Sequence, residues 1–248
     1  NVLYVALEGL DGAGKQTTRE LLESRLKKDT TYFKNYGSNI EVEFQDFPMY
    51  HTKSGKMIKE LLQHEHYDEI MSPEAMSTLF ALNRSDYFHY SKVLNESKPD
   101  IIISDRSFFS NLAYQYARKL VNNSQTEFDK FANELLKIEE IAGNPIPSQV
   151  FWLRTPMDIN LARLRERKET DKHESSENLQ RLVYMVYGII ADNAKSMFGV
   201  NWVTIPTELF TKEQVVDNIV KRIDFQRGWN YSGPPHLRWT AESNKQWR

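Results

Sequence analysis

The sequence predicts an α/β fold, a doubly wound parallel five-stranded sheet flanked by helices. Three observations carry this. Five short runs rich in β-branched and aromatic residues are spread along the 248-residue chain, at 2–7, 41–47, 100–104, 149–153 and 202–205. Segments with apolar residues at helical spacing separate them, and strands alternating with helices build a parallel sheet. The run Asp100-Ile101-Ile102-Ile103-Ser104 has a wholly apolar centre, as a strand buried on both faces of such a sheet requires.

The first strand leads into Glu8-Gly9-Leu10-Asp11-Gly12-Ala13-Gly14-Lys15-Gln16-Thr17-Thr18. A helix follows, with Leu21, Leu22, Arg25 and Leu26 at helical spacing. Strand, glycine-rich turn, helix is the context that makes a Walker A match a credible phosphate cradle. The cradle covers Gly9, Gly12, Ala13, Gly14, Lys15, Gln16 and Thr17. Its inward N–H groups and the positive end of the helix suit a polyphosphate. Lys15 supplies a point charge for the β- and γ-phosphates. The next position is normally Ser or Thr, whose hydroxyl binds Mg²⁺. Here it is Gln16, whose amide oxygen can ligate the ion directly or through water. A glycine-rich turn without a ligand is the plainer alternative.

Residues 27–39 are polar and read as a loop. The alternation in 41–47 gives the second strand, ended by Pro48. Residues 55–63 form a helix with Met57, Ile58, Leu61 and Leu62 on one face. Ser72-Pro73-Glu74 starts another, with Ser as N-cap and Pro at the first helical position. It extends to about Asn95, limited by Lys98-Pro99. The third strand delivers Asp105-Arg106 at its carboxyl end. Helices follow over 107–121 and 127–142. After the fourth strand, Thr155-Pro156-Met157-Asp158 caps a helix carrying Arg163, Arg165 and Arg167. A charged, mobile stretch over 171–177 precedes a long helix to Met197. Thr211 and Gln214 fit a capping box for the last main helix. The chain divides into a domain over 1–227 and an aromatic extension over 228–248. The extension's Trp229, Trp239 and Trp247 pack on the domain or serve an interface.

Composition narrows the function. Apolar residues make up 40% and charged residues 27%, a globular balance. The formal net charge of −2 gives no basic field for a nucleic-acid polymer. No run is long and apolar enough to span a membrane. Cysteine is absent, which excludes disulfides and thiolate metal sites and permits a reducing compartment such as the cytoplasm.

In doubly wound sheets ligands bind beyond the carboxyl ends of strands, where Asp11, Phe47 to Tyr50 and Asp105-Arg106 fall. Arg106 has the planar fork that matches a phosphate. Asp105 either orients it or holds Mg²⁺ through water; a structural ion pair is the other reading. Arg163 and Arg167 share a helix face, with Arg165 turned away. They are either donors for a moving phosphoryl group or a solvated basic face. Phe80 and Arg84 also share a face, suited to stacking on a base and reading its edge, or to a core Phe beside a surface Arg. The six histidines show no metal-ligand pattern.

Together these residues resemble the thymidylate kinase family, over about residues 2–210. The blocks are Glu8 to Lys15, Phe47-Pro48-Met49-Tyr50, Leu79-Phe80-Ala81-Leu82-Asn83-Arg84, Asp105 to Gln115, and Arg163 to Arg167 with Asp171-Lys172-His173-Glu174. The resemblance implies a P-loop nucleoside monophosphate kinase fold with a mobile lid at about 163–176. It implies transfer of the ATP γ-phosphate to dTMP with Mg²⁺, giving dTDP for dTTP synthesis, and a homodimer. Carried over, Lys15, Asp105, Arg106, Arg163 and Arg167 are catalytic. Asp11 contacts the acceptor sugar, and Tyr50 and Arg106 hold its phosphate, with Phe47 beside it. Phe80, Arg84 and Asn111 meet the base. Tyr114 lies under the sugar, and Tyr187 closes over the nucleoside. Asp105 is the metal-side and phosphate-side carboxylate, and Gln16 stands where the family's Mg²⁺-binding hydroxyl is normally found.

The phosphate loop has no Arg between Asp11 and Lys15, whereas the lid has three. This fits the lid-arginine subtype, with Arg167 as the catalytic arginine. The chain departs from the family pattern at Gln16, Ser107, Met49 and Lys172, and in its tail. Two rival functions stand beside the main one. One is a kinase that also accepts dUMP or dGMP; the other is a nucleotide-binding module without catalysis.

Overall fold

A computed structural model describes residues 2–28, 40–64, 66–89, 99–122, 125–166 and 177–223. Five strands form one sheet: β1 (Leu3–Glu8), β2 (Val42–Asp46), β3 (Ile101–Asp105), β4 (Gln149–Arg154) and β5 (Asn201–Pro206). Their order is β2-β3-β1-β4-β5, with every neighbouring pair parallel. From β1 the chain goes to the edge strand β2, returns to β3 between them, and then crosses to β4 and β5 on the other side of β1, so the carboxyl end of β1 lies at the switch point. Register places Leu7 beside Asp105, and Asp46 beside Asp105 on its other flank.

Helices cover both faces. They are α1 (Lys15–Lys28), α2 (Lys53–Gln63), α3 (Tyr67–Ile70), α4 (Pro73–Phe88), α5 (Phe108–Val121), α6 (Phe128–Ala142), α7 (Met157–Glu166), α8 (Glu177–Phe198) and α9 (Lys212–Arg222). One core joins β4 to α5, α6 and α8 through Phe109, Leu135, Val150 and Phe198. A second joins β1, β3 and β4 to α1 and α9 through Leu7, Leu22, Phe151 and Ile219. With both faces buried, the alternating polar pattern of a half-exposed strand is absent from β1, all six of whose residues are buried.

The local signals hold at the helix starts. Ser72 Oγ accepts from Ala75 N at 3.1 Å, and Thr211 with Gln214 forms the capping box. One boundary moves: α4 ends at Phe88, with His89 N bonded to Ser85 O at 2.9 Å, rather than near Asn95. Residues 90–98 lie outside the described residues. The short α3 has no apolar period to announce it. Buried Arg118 on α5 holds it, donating to Asp68 and Tyr67 Oη, both at 2.9 Å, and to Met71 O at 2.6 Å. Arg167, the rest of the lid to residue 176, and the tail tryptophans also lie outside the described residues. Among the described residues no helix is long and apolar enough to cross a membrane.

Candidate active site

β1 runs one residue further than its apolar pattern, and its last residue is the fully buried Glu8. A carboxylate there must be met by donors. Ser107 Oγ donates to it at 2.5 Å, Tyr187 Oη at 2.8 Å, and Ser110 Oγ also bonds it. Ser107 caps α5 as well, accepting from Phe109 N at 3.2 Å. A small hydroxyl at position 107 therefore serves the cap and Glu8 together. Sequence reasoning gave Glu8 no role; a carboxylate closing a buried strand was the available signal.

Beyond Glu8 the chain turns sharply. Gly9 has φ +148°, and a Cβ there would lie 2.8 Å from Leu153 O. Gly12 has φ +83° and packs against Asn160 of α7. Lys15 opens α1 and is buried, its Nζ donating to the carbonyls of Gly9 at 3.0 Å and Leu10 at 2.9 Å. Burial, and then the Arg106 charge, lower its pKa below the ordinary lysine range. Arg163 Nη1 donates to Gly12 O at 2.9 Å, so a lid-side arginine already touches the loop. Arg165 turns away to Glu177, as its spacing predicts.

Arg106 has φ +69°, the left-handed region that a non-glycine residue seldom adopts. Its N–H donates to Leu7 O at 2.9 Å, which holds the turn. The turn sends the guanidinium onto the Asp11 carboxylate and 5.3 Å above the Tyr114 ring. Tyr114 Oη donates to the other Asp11 oxygen at 2.6 Å. Asp11, Arg106 and Tyr114, far apart in sequence, are thus one unit.

That unit forms part of the wall of a cavity of about 440 Å³. Phe47, Tyr50, Phe80, Arg84 and Asn111 also line it, as do Asp105 and Gln16. Lys15, Arg163 and Tyr187 are not on its wall. Buried Asn83 shapes one side, accepting from Met49 N at 2.8 Å and donating to Ser54 Oγ at 2.9 Å. Arg84 is buried against Glu139 of α6. Asn111 is 4% exposed, and its Oδ1 has no hydrogen-bond partner among the described residues. Gln115 is an unforeseen lining residue, its Oε1 accepting from Arg118 at 2.8 Å. Arg19, one turn beyond Lys15, lines the cavity too and pairs with Asp46 at 2.9 Å.

Tyr187 departs from its expected place over the cavity. It is fully buried and stacks on Trp152, centroids 5.8 Å apart and planes at 21°. Its ring faces the sheet side of α8, where Glu8 and Ser110 satisfy the hydroxyl.

For Mg²⁺ the decisive atom is Asp105 Oδ1, which is buried without a hydrogen-bond partner among the described residues. No group of three or more carboxylate or histidine ligands occurs among them. Mg²⁺ needs only one or two protein groups when phosphates and water complete its shell. Asp105 and Gln16, on the same cavity, fit that requirement.

Comparison with known proteins adds independent findings. The family profile described as thymidylate kinase matches residues 7–219. A probable thymidylate kinase of Thermococcus kodakarensis is 32% identical over 208 residues, covering 80% of this chain and 89% of that protein. The thymidylate kinase of Mycobacterium tuberculosis strain H37Rv is 28% identical over 216 residues, covering 84% and 92%. The solved thymidylate kinase of Candida albicans shares the fold, with TM-score 0.62 at 22% identity over 91% of this chain and 92% of that one.

Proposed function

Because the chain belongs to the thymidylate kinase family, we propose that its glycine loop holds ATP and its cavity holds dTMP. The chain is a nucleoside monophosphate kinase that moves the γ-phosphate of ATP to dTMP, giving dTDP and ADP. The observation that carries the site assignment is the Asp11–Arg106–Tyr114 unit, set where the phosphate loop meets the cavity.

The acceptor atom is a phosphate oxygen that is already anionic, so no general base is needed. Catalysis then rests on alignment and on charge stabilisation. Arg106 presents its fork to the acceptor phosphate while Asp11 holds it, and Tyr50 and Phe47 close that end. Tyr114 supports the sugar. Phe80 stacks on the base, and Arg84 and Asn111 Oδ1 meet its edge, an acceptor facing the ring N–H of thymine. Lys15 exchanges two loop carbonyls for phosphate oxygens. Arg163 leaves Gly12 O for the transferred group, where Arg167 joins it as the lid closes.

Asp105 and Gln16 hold Mg²⁺, which when bound neutralises charge on the phosphates. The enzyme works as a cytoplasmic homodimer, its domain over 1–227 followed by an extension over 228–248. Exposed Leu82 and Ile141, on the packed helices α4 and α6, support a covered face there.

ADP formation with ATP, Mg²⁺ and each of dTMP, dUMP, dGMP, dCMP and dAMP tests the acceptor assignment. Turnover confined to dTMP and dUMP is expected. Equal turnover on dCMP, whose base offers an amino group and no ring N–H at that edge, would overturn the base-edge reading.

A further inference from the structure

We propose that Glu139 is a positioning residue that sets which edge of Arg84 faces the acceptor base. This rests on the reading of Arg84 as a base contact. The two side chains are 1% and 2% exposed. Arg84 Nε donates to Glu139 Oε2 at 3.2 Å, and its Nη2 bonds Oε1, a fork against a fork. Asn144 Nδ2 donates to Oε2 at 2.9 Å and to Ala81 O at 2.8 Å, while Ser85 Oγ donates to Asn144 Oδ1 at 3.0 Å. The carboxylate is therefore held from α4 and from the turn after α6, and it cannot swing with the arginine.

Such a pair commits one whole edge of the guanidinium. The nitrogen left without a hydrogen-bond partner among the described residues is Nη1, and Arg84 lines the cavity. A guanidinium offers donors only. Fixed this way, it accepts a ring edge bearing a carbonyl oxygen and rejects one bearing an amino group. A buried ion pair adds little net stability over a well-packed apolar pair. Orientation of Nη1 accounts for the pair where stability does not. Glu139 lies on α6, outside every block of the resemblance, so only the fold brings it to Arg84.

The probe is a matched pair of acceptors, dTMP and 5-methyl-dCMP, which differ at the edge facing Arg84 and share the methyl group. In Glu139→Gln the amide matches the carboxylate in shape, but one arm meets the guanidinium donor to donor. Its KM for dTMP is expected to rise about tenfold with kcat within about twofold. The preference for dTMP over 5-methyl-dCMP in kcat/KM is expected to fall by about tenfold. Arg84→Ala should lower that preference as far, and the double variant no further. A preference unchanged in Glu139→Gln but lowered in Arg84→Ala overturns the positioning role alone. A preference unchanged in Arg84→Ala overturns the base-contact reading and the positioning role with it. If Glu139→Gln does not fold, Asn144→Ala decides. It frees one oxygen of the carboxylate and should lower the preference in the same direction by about threefold, whereas a change in melting temperature alone refutes the proposal.

Discussion

Tyr187 Oη donates a 2.8 Å hydrogen bond to Glu8 Oε2. The bond ties the helix that follows the lid to the residue that precedes the phosphate loop. Because Tyr187 is not on the cavity wall, Tyr187→Phe should leave the KM for dTMP unchanged. It removes one of three hydroxyls from a buried carboxylate, which costs about 1–3 kcal/mol. At this chain length each kcal/mol lowers the melting temperature by about 2–4 °C. Thermal denaturation and steady-state kinetics check this; a raised KM with unchanged stability would restore Tyr187 to the nucleoside.

Lys15 sets function against stability. Burial depresses its pKa below the ordinary value of 10.5, so the folded state binds this proton more weakly than the unfolded state does. Its contribution to stability therefore rises as pH climbs from the folded pKa towards 10.5, and falls as pH drops back. Lys15→Met should abolish phosphoryl transfer yet flatten this rise, seen by comparing denaturation midpoints at about pH 8 and pH 10. An equally steep rise in the variant would assign it to another group.

Asp105 Oδ1 is a buried acceptor awaiting a donor or a cation. Asp105→Asn should raise the Mg²⁺ concentration for half-maximal activity about tenfold, the cost of losing a carboxylate that holds the ion through water. Calorimetric titration of the nucleotide-bound protein with Mg²⁺ should show the same weakening. Unaltered Mg²⁺ affinity would remove Asp105 from the metal site, and Arg106 keeps Asp11 as its ion-pair partner either way.

Arg163 and Arg167 should separate kinetically. Arg167→Ala is expected to lower kcat by about 10³-fold with little change in the KM for dTMP, as for an arginine serving only the transition state. Arg163→Ala also loses the bond to Gly12 O, so it should raise the KM for ATP as well as lower kcat. Identical profiles for the two variants would contradict this division of labour.

Much of this protein was legible in its sequence because the signals are local. The glycine-rich turn between strand and helix, the apolar Ile101–Ile103 run, the Ser72 cap and the Thr211–Gln214 box each specify backbone geometry within a few residues. Five strands in alternation with helices then determine a parallel sheet, and such a sheet puts ligands at its carboxyl edge. Asp11, Phe47, Tyr50, Phe80, Arg84, Asn111 and Tyr114 all line the same cavity.

What the sequence could not determine is which partner each charged or polar side chain finds. Arg84 meets Glu139 across 55 residues, Arg106 meets Asp11 across 95, and Tyr187 meets Glu8 across 179. Such pairings depend on how helices dock on the sheet, which no local pattern encodes. The tertiary structure decided them because burial removes water as the alternative partner, so each buried carboxylate must take whatever donor packing brings within reach.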